Sequence, residues 1–443
     1  MRIGIDVGGT HTDAVVLDRQ SVVASTKVLT SANVRDGVVN ALDDVLEQSG
    51  VAHDQVEAVM IGTTQFTNAV IERRELAPTA IIRIALPAGE LVPPMIDWPE
   101  DIAAALGRHV YMVHGGRTYD GFPIAPIDDA EIDAAIDDIK VRGIRHIALS
   151  GVFSPSDPAQ EKMVAERVLA RIPDARITLS HKIGRMGLLE RENAALLNAS
   201  LLPLADKVVD SFRAALAERQ IGCPFYISQN DGTLMSAQFA AEFPALTFAS
   251  GPTNSLRGAS LLTQLDNAVV VDIGGTTSDI GVLQDGFPRQ SNIAIDVGGV
   301  RTNFRMPDIQ AIGLGGGSLV QDGGSTIGPQ SVGYRLVTEG RVFGGDTLTT
   351  TDITVASGAA DIGDAGKVKD LDDGVVQNAV ARIHNIIDTG IDQMKSSRDP
   401  VPVILVGGGA VLVSQTLDTA SELHRPEHSG VANAIGAANA QVG

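Results

Sequence analysis

The sequence is poor in cysteine, aromatic residues and positive charge, and each shortage bounds what it can do. A single cysteine, Cys223, rules out an intrachain disulfide and a cysteine-built zinc site. Of the nine histidines only His424 and His428 stand at H-x-x-x-H spacing, with Pro426 between them; the histidines read as structural or surface residues, with His11 the exception to test. A formal net charge of −20 argues against nucleic acid or an anionic membrane as partner. Bound phosphate would then be held by backbone N–H groups, a metal and local Arg or Lys. The best membrane-spanning stretch, Val401–Val413, is too short and contains three consecutive glycines. No signal-like apolar region precedes the first strand, which already carries Asp6, so a cytoplasmic setting is expected.

What is present suits a turn-rich α/β protein. The 443 residues leave room for two or three domains, and 44% hydrophobic with 20% charged residues is ordinary for a soluble globular chain. Glycine reaches 47 residues, while Ala, Val, Ile and Leu must supply a core that 4% aromatics cannot.

One phrase occurs twice. Asp6-Val7-Gly8-Gly9-Thr10-His11-Thr12-Asp13 returns as Asp272-Ile273-Gly274-Gly275-Thr276-Thr277-Ser278-Asp279, each copy between two short apolar runs. That pattern predicts a strand, a tight glycine turn and a second strand, twice. Glycines let the backbone turn its N–H groups toward an anion with no Cβ in the way. The Thr hydroxyl can donate to a phosphate oxygen. An Asp at the strand end can hold hydrated Mg2+, which prefers one or two carboxylates plus waters and phosphates. A single copy would read equally as a plain hairpin turn. Two copies in register predict two hairpins that grip one polyphosphate across a cleft. The phrase is neither a Walker A loop, since no Gly-Lys-Ser/Thr follows, nor a dinucleotide fingerprint, since its glycines open no helix.

Strands at Ile3–Val7, Ala14–Leu17 and Val22–Val28 are followed by a helix starting after Ser31 or Asn33 and ending at Gly50, then by strands at Val56–Ile61 and Thr79–Ala85. That is the order of an RNase H-like unit. We expect a first domain over 1–185 with an irregular insertion around 87–126, then an interdomain helical segment over 186–222, kinked or split at Pro203. A second domain over 223–443 would begin with a strand at Pro224–Ser228. It would end with the strand Val401–Val406, a third glycine turn at Gly407, Gly408 and Gly409, and a small-residue helix Val431–Ala440.

Residues Gly4–Asp13, Asp272–Asp279 and Val406–Ala410 resemble the phosphate 1, phosphate 2 and adenosine motifs of the actin, sugar kinase and heat-shock chaperone superfamily of ATPases. The run Ile61-Gly62-Thr63-Thr64-Gln65-Phe66-Thr67-Asn68-Ala69, followed by Glu72-Arg73-Arg74, resembles the hydantoinase A/5-oxoprolinase family more narrowly. Ser250-Gly251-Pro252, Gly313–Ser318 and Gly328-Pro329-Gln330-Ser331 are similar to later landmarks of that family. The resemblance implies two RNase H-like (actin-like ATPase) domains flanking a nucleotide cleft, with ATP and Mg2+ as cofactors. It implies an A-type component that activates a lactam, hydantoin or related amide by phosphorylation, for opening or carboxylation by a B-type subunit. A small-molecule kinase and an ATP-driven conformational switch are the alternatives, and self-association into a homo-oligomer is left open. The chain departs from the long family members in having no B-type half and a short stretch after Gly328-Pro329.

On this reading Gly8, Gly9, Thr10, His11, Thr12, Gly274, Gly275, Thr276 and Thr277 line the phosphates, joined by Gly315, Gly316 and Gly407–Gly409. Asp6 and Asp272 hold Mg2+ through water. Asp13 and Asp279 position water or brace their turns by accepting local N–H groups. Thr63, Thr64 and Asn68 either cap a helix or face phosphate or substrate.

Overall fold

Alternating apolar residues and the glycine turn give the first hairpin. β1 (Arg2–Val7) and β2 (His11–Asp18) pair antiparallel, β3 (Ser21–Leu29) extends the meander, and β4 (Ala58–Thr63) lies parallel to β1 on its other side. The crossover is the helix Val34–Ser49, which buries Val38, Leu42 and Val45 completely and stops at Gly50, where φ is 64°. Each such side chain contributes roughly 1.5–3 kcal/mol of burial free energy. This computed structural model describes residues 1–9, 11–29, 34–291 and 294–442, so the expected caps Ser31 and Asn33 lie outside the described residues.

After β4 the chain leaves this sheet. β5 (Thr79–Leu86), β6 (His109–His114), β7 (His146–Gly151) and β8 (Arg176–Leu179) form a separate parallel sheet in the order β6-β5-β7-β8. The helices Asp129–Val141 and Ala159–Arg171 cover it through Ile132, Ile136, Ile139, Val164 and Val168. The expected extra strand of the first unit is therefore the start of an inserted α/β layer, much larger than the irregular 87–126 segment alone. The reason is visible in β5, whose near-continuous apolar run suits a parallel strand buried on both faces.

The expected split into two helices at Pro203 does not occur. Leu188–Glu218 is one helix of 31 residues. Its carbonyls near the proline find outside donors: Ser200 O accepts from Ala77 N–H at 2.9 Å and Leu202 O from Arg176 Nη1 at 3.4 Å. The helix also carries a fully buried ion pair to the inserted sheet, Glu192 Oε1 to Arg83 Nη2 at 2.5 Å.

β9 (Phe225–Ser228) and β10 (Leu234–Ser236) then return to the first sheet, giving the order β10-β9-β4-β1-β2-β3. The strand expected to open the second unit thus completes the first. It occupies the free edge of β4, pairing parallel with it and burying Ile227 in the same core.

The second sheet repeats the plan. β11 (Ala268–Ile273) and β12 (Ser278–Gln284) form the hairpin, and β13 (Phe287–Pro288) follows on the outer edge of β12. After the ribbon β14 (Ile295–Val297) and β15 (Val300–Thr302), β16 (Ile309–Ile312) joins β13 on that edge. A second ribbon, β17 (Ser318–Gln321) and β18 (Thr326–Ser331), precedes β19 (Val401–Val406), which runs parallel to β11, and β20 (Ala420–His424), parallel to β19. Both sheets place a central strand between its hairpin partner and a parallel strand from later in the chain. These are two RNase H-like units in the arrangement of actin-like ATPases.

The lobes are joined by helices rather than by a hinge strand alone. Ala432–Asn439, expected with the second unit, packs on β1, β2 and β4 and against the helix Ser250–Thr263. The approach is so close that a Cβ on Gly258 would lie 2.0 Å from Ala432 O, and one on Gly4 2.0 Å from Ala434 O. Among the described residues, no helix is long and apolar enough to cross a membrane.

Candidate active site: two hairpins and four carboxylates

The two turns are built alike. Gly8 N–H donates to His11 O at 3.0 Å, and Gly274 N–H donates to Thr277 O at 2.9 Å. Asp6 stands opposite Asp13 across its hairpin, and Asp272 opposite Asp279. Each leading Asp also has a glycine making room beside it. A Cβ on Gly62 would lie 2.5 Å from Asp6 Oδ1, and one on Gly407 2.3 Å from Asp272 Oδ1.

The hairpins share one cavity of about 410 Å³. Asp6, Gly8, His11 and Asp13 line it from the first lobe; Asp272, Gly274, Gly275, Thr276, Thr277 and Asp279 line it from the second, with Gly316 and Gly407–Gly409. Thr10 lies outside the described residues. Gly9 sits exposed at the turn tip, off the cavity wall. Thr12 is fully buried, because strand alternation sends it to the face opposite His11 and Asp13. Gly315 backs the second turn instead of lining the cavity: a Cβ there would meet Thr276 N at 2.6 Å, while Gly316 N–H donates to Gly274 O at 3.0 Å and Gly317 N–H to Gly275 O at 2.7 Å.

Burial dominates the electrostatics. Asp6 is pushed up to about 7 by desolvation and then by Asp13, with Asn433 opposing through a 3.2 Å hydrogen bond to Oδ2. Asp279 is likewise pushed up to about 7, by desolvation and then by Asp272. Burial also raises Asp13 against the pull of Lys27, whose Nζ lies 2.6 Å from Oδ1, and raises Asp272 against a hydrogen bond from Ser255. Asp6 Oδ1 is buried with no hydrogen-bond partner among the described residues. Among the described residues no three acidic, His or Cys side chains converge as a ready cation cage. Asp6 and Asp272 nevertheless suit Mg2+, which takes one or two protein carboxylates and completes its shell with water and phosphate.

Thr63, Thr64 and Asn68 do not reach this cavity. They line a second one of about 690 Å³, together with Thr247, Ser250 and Gly251, and that cavity shares Thr277 and Asp279 with the first. Thr63 also does local work, its Oγ1 accepting from Gln65 N–H at 3.3 Å. Sequence reasoning missed Lys27, Asn433, Ser255 and the apolar wall of the first cavity, where Tyr334 and Val337 remain 75% and 59% exposed. Lys27 was findable, since strand register puts it directly across from Asp13.

Paired glycine hairpins facing each other between two RNase H-like units define the actin-like ATPase fold. The chain belongs to the hydantoinase/oxoprolinase family: the model of the hydantoinase/oxoprolinase N-terminal region matches residues 2–172 and that of hydantoinase/oxoprolinase matches residues 191–361. It is 27% identical over 394 residues to caprolactamase subunit alpha of Pseudomonas jessenii, covering 81% of this chain and 54% of that one. It is 24% identical over 389 residues to the acetophenone carboxylase gamma subunit of Aromatoleum aromaticum, covering 80% and 53%. The crystal structure of the ATP-dependent caprolactamase from Pseudomonas jessenii superposes with a TM-score of 0.80 at 22% identity, over 99% of this chain and 70% of that one. The chain thus spans about half the length of these curated relatives.

Proposed function

We propose that this chain is an ATP-using A-type component that phosphorylates the carbonyl oxygen of a lactam, hydantoin or related amide. The observation that carries this reading is the common wall: Thr277 and Asp279 belong to both cavities, so a γ-phosphoryl held between the hairpins would border the second cavity. Amides resist opening because resonance strengthens the C–N bond. Moving the phosphoryl group onto the amide oxygen converts the carbonyl into an imidate-like centre that water can attack. In that step the O–P bond forms, the bond from phosphorus to the ADP oxygen breaks, and the amide N–H proton needs an acceptor. We assign that role to Asp279, which borders both cavities and whose proton affinity is held near neutrality.

Phosphoryl transfer depends mainly on positioning and charge neutralisation. The backbone amides of the two glycine turns provide positioning. Asp6 and Asp272 would hold Mg2+ through water, supplying neutralisation to the polyphosphate. The relatives named as subunits support a B-type partner for the step after activation. The test is ADP release by the purified chain against lactams, hydantoins and acyclic amides, with and without that partner. Release stimulated by one class supports the reading. A stable phosphorylated product would instead mark a small-molecule kinase, and release indifferent to every amide would defeat it.

A further inference from the structure

Ser250 has no part in the transfer step, yet it is placed like a ligand contact. It is 1% exposed, its Oγ has no hydrogen-bond partner among the described residues, and it lines the second cavity. It also begins the Ser250–Thr263 helix, whose N-terminus no side chain caps. Pro252 contributes no N–H there, and the first amide of this helix with a backbone acceptor is Thr253, bonded to Ala249 O at 3.3 Å. The Ser250 and Gly251 amides have no backbone acceptor among the described residues, and both residues line the cavity.

A second helix starts beside it, with its first amide, Gln65 N–H, already bonded to Thr63 Oγ1 at 3.3 Å. Gln65–Glu72 follows Thr64, and Thr64, Thr67 and Asn68 line the same cavity. The two ends touch, since a Cβ built on Gly251 would sit 3.9 Å from Thr64 Cγ2. Adjacent helix N-termini combine unpaired amides with the positive ends of two dipoles, an environment suited to an oxyanion. Among the described residues no Lys or Arg lines the cavity, so these groups are what an anion would find. Of its acids, Asp308 is paired with Arg289 at 2.8 Å and Asp296 accepts from Gly299 N–H at 2.7 Å, while Asp279 lies on the wall toward the nucleotide cleft.

We infer that Ser250 and the N-termini of these two helices form an oxyanion subsite of the substrate cavity. Resting on the function proposed above, its occupant is either a carboxylate carried by the amide substrate or the phosphoryl group just transferred. The test uses the full chain and the Ser250→Ala variant, titrated separately with inorganic phosphate and with 2-pyrrolidone-5-carboxylate, each with and without MgADP. MgADP binding by itself reports on the nucleotide cleft independently of the subsite. Wild type should bind at least one anion, and Ser250→Ala should weaken it fivefold or more with MgADP affinity within twofold. Its melting midpoint should not fall, because the lost hydroxyl had no partner; a structural serine would show the opposite. Phosphate binding alone assigns the subsite to the transferred group, and carboxylate binding assigns it to the substrate. Binding of neither anion to wild type, or equal binding by Ser250→Ala, would overturn the inference.

Discussion

The two lobes carry the same hairpin, but they treat its second aspartate differently. In the first lobe Asp13 lies across from Lys27 on β3, and the pair is closed by an ion contact of 2.6 Å. In the second, Asp279 lies across from Ala311 on β16, which offers no charge. One duplicated scaffold therefore yields a braced carboxylate and a carboxylate left near neutrality at the junction of two cavities. Asp13 is held by Lys27 rather than by the local N–H groups expected from sequence, and Asp279 is the one to which the proposed function gives the chemistry.

The largest expected effect comes from removing the unpaired acid. Asp279→Asn should lower substrate-stimulated ADP release by about 10²-fold or more, the scale of a lost general base, whereas Asp13→Asn should cost much less. The same Asp279→Asn change should raise thermal stability at neutral pH. The folded chain holds the Asp279 proton to about 7, while the ordinary value is 3.8, so native stability is greatest below that window and declines as pH rises through it. Melting midpoints at pH 5 and pH 8 check this: the variant's advantage should appear at pH 8 and shrink at pH 5.

Copying the first lobe into the second is the next test. Ala311→Lys should pair Asp279 and draw its acidity back toward the usual carboxylate range. Activity should fall, and the limb of the pH–rate profile near 7 should move to lower pH; an unmoved limb would assign that titration to another group. The reverse change, Lys27→Met, leaves Asp13 buried without its cation. Stability should drop by about 1–3 kcal/mol at pH 8 and by less at pH 5, where Asp13 can take up a proton.

Smaller still is the effect of filling the room beside the leading aspartates. Gly62→Ala would press a methyl group against Asp6 Oδ1 and Gly407→Ala against Asp272 Oδ1. Each should weaken nucleotide binding measurably. Gly407→Ala should be the worse of the two, because φ there is 83°.

The hairpins were legible in the sequence because everything that makes them is local: strand, two glycines, strand, with Asp6 opposite Asp13 fixed by a short turn. The order of the later strands was not. Nothing near Phe225–Ser228 says that β4 has an open edge, and nothing in Ala432–Asn439 says which lobe it covers. Asn433 reaches Asp6 from 427 residues away, a contact no spacing rule can supply. Thr63, Thr64 and Asn68 were recognised as polar residues at a strand-to-helix junction. That they line a second cavity rather than the one between the hairpins could be seen only in the fold.

The most direct test of the shared cleft is a set of melting curves with Mg2+ and ATP, ADP or AMP. Only a polyphosphate can engage both hairpins at once, so ATP should stabilise the chain most and AMP least. At a hundredfold excess over Kd the gain is about 2.7 kcal/mol, a shift of roughly two degrees or more for a protein of this size. Equal shifts from ATP and AMP would contradict a two-sided grip on the phosphates, and no shift from any of the three at millimolar concentration would contradict a nucleotide cleft altogether.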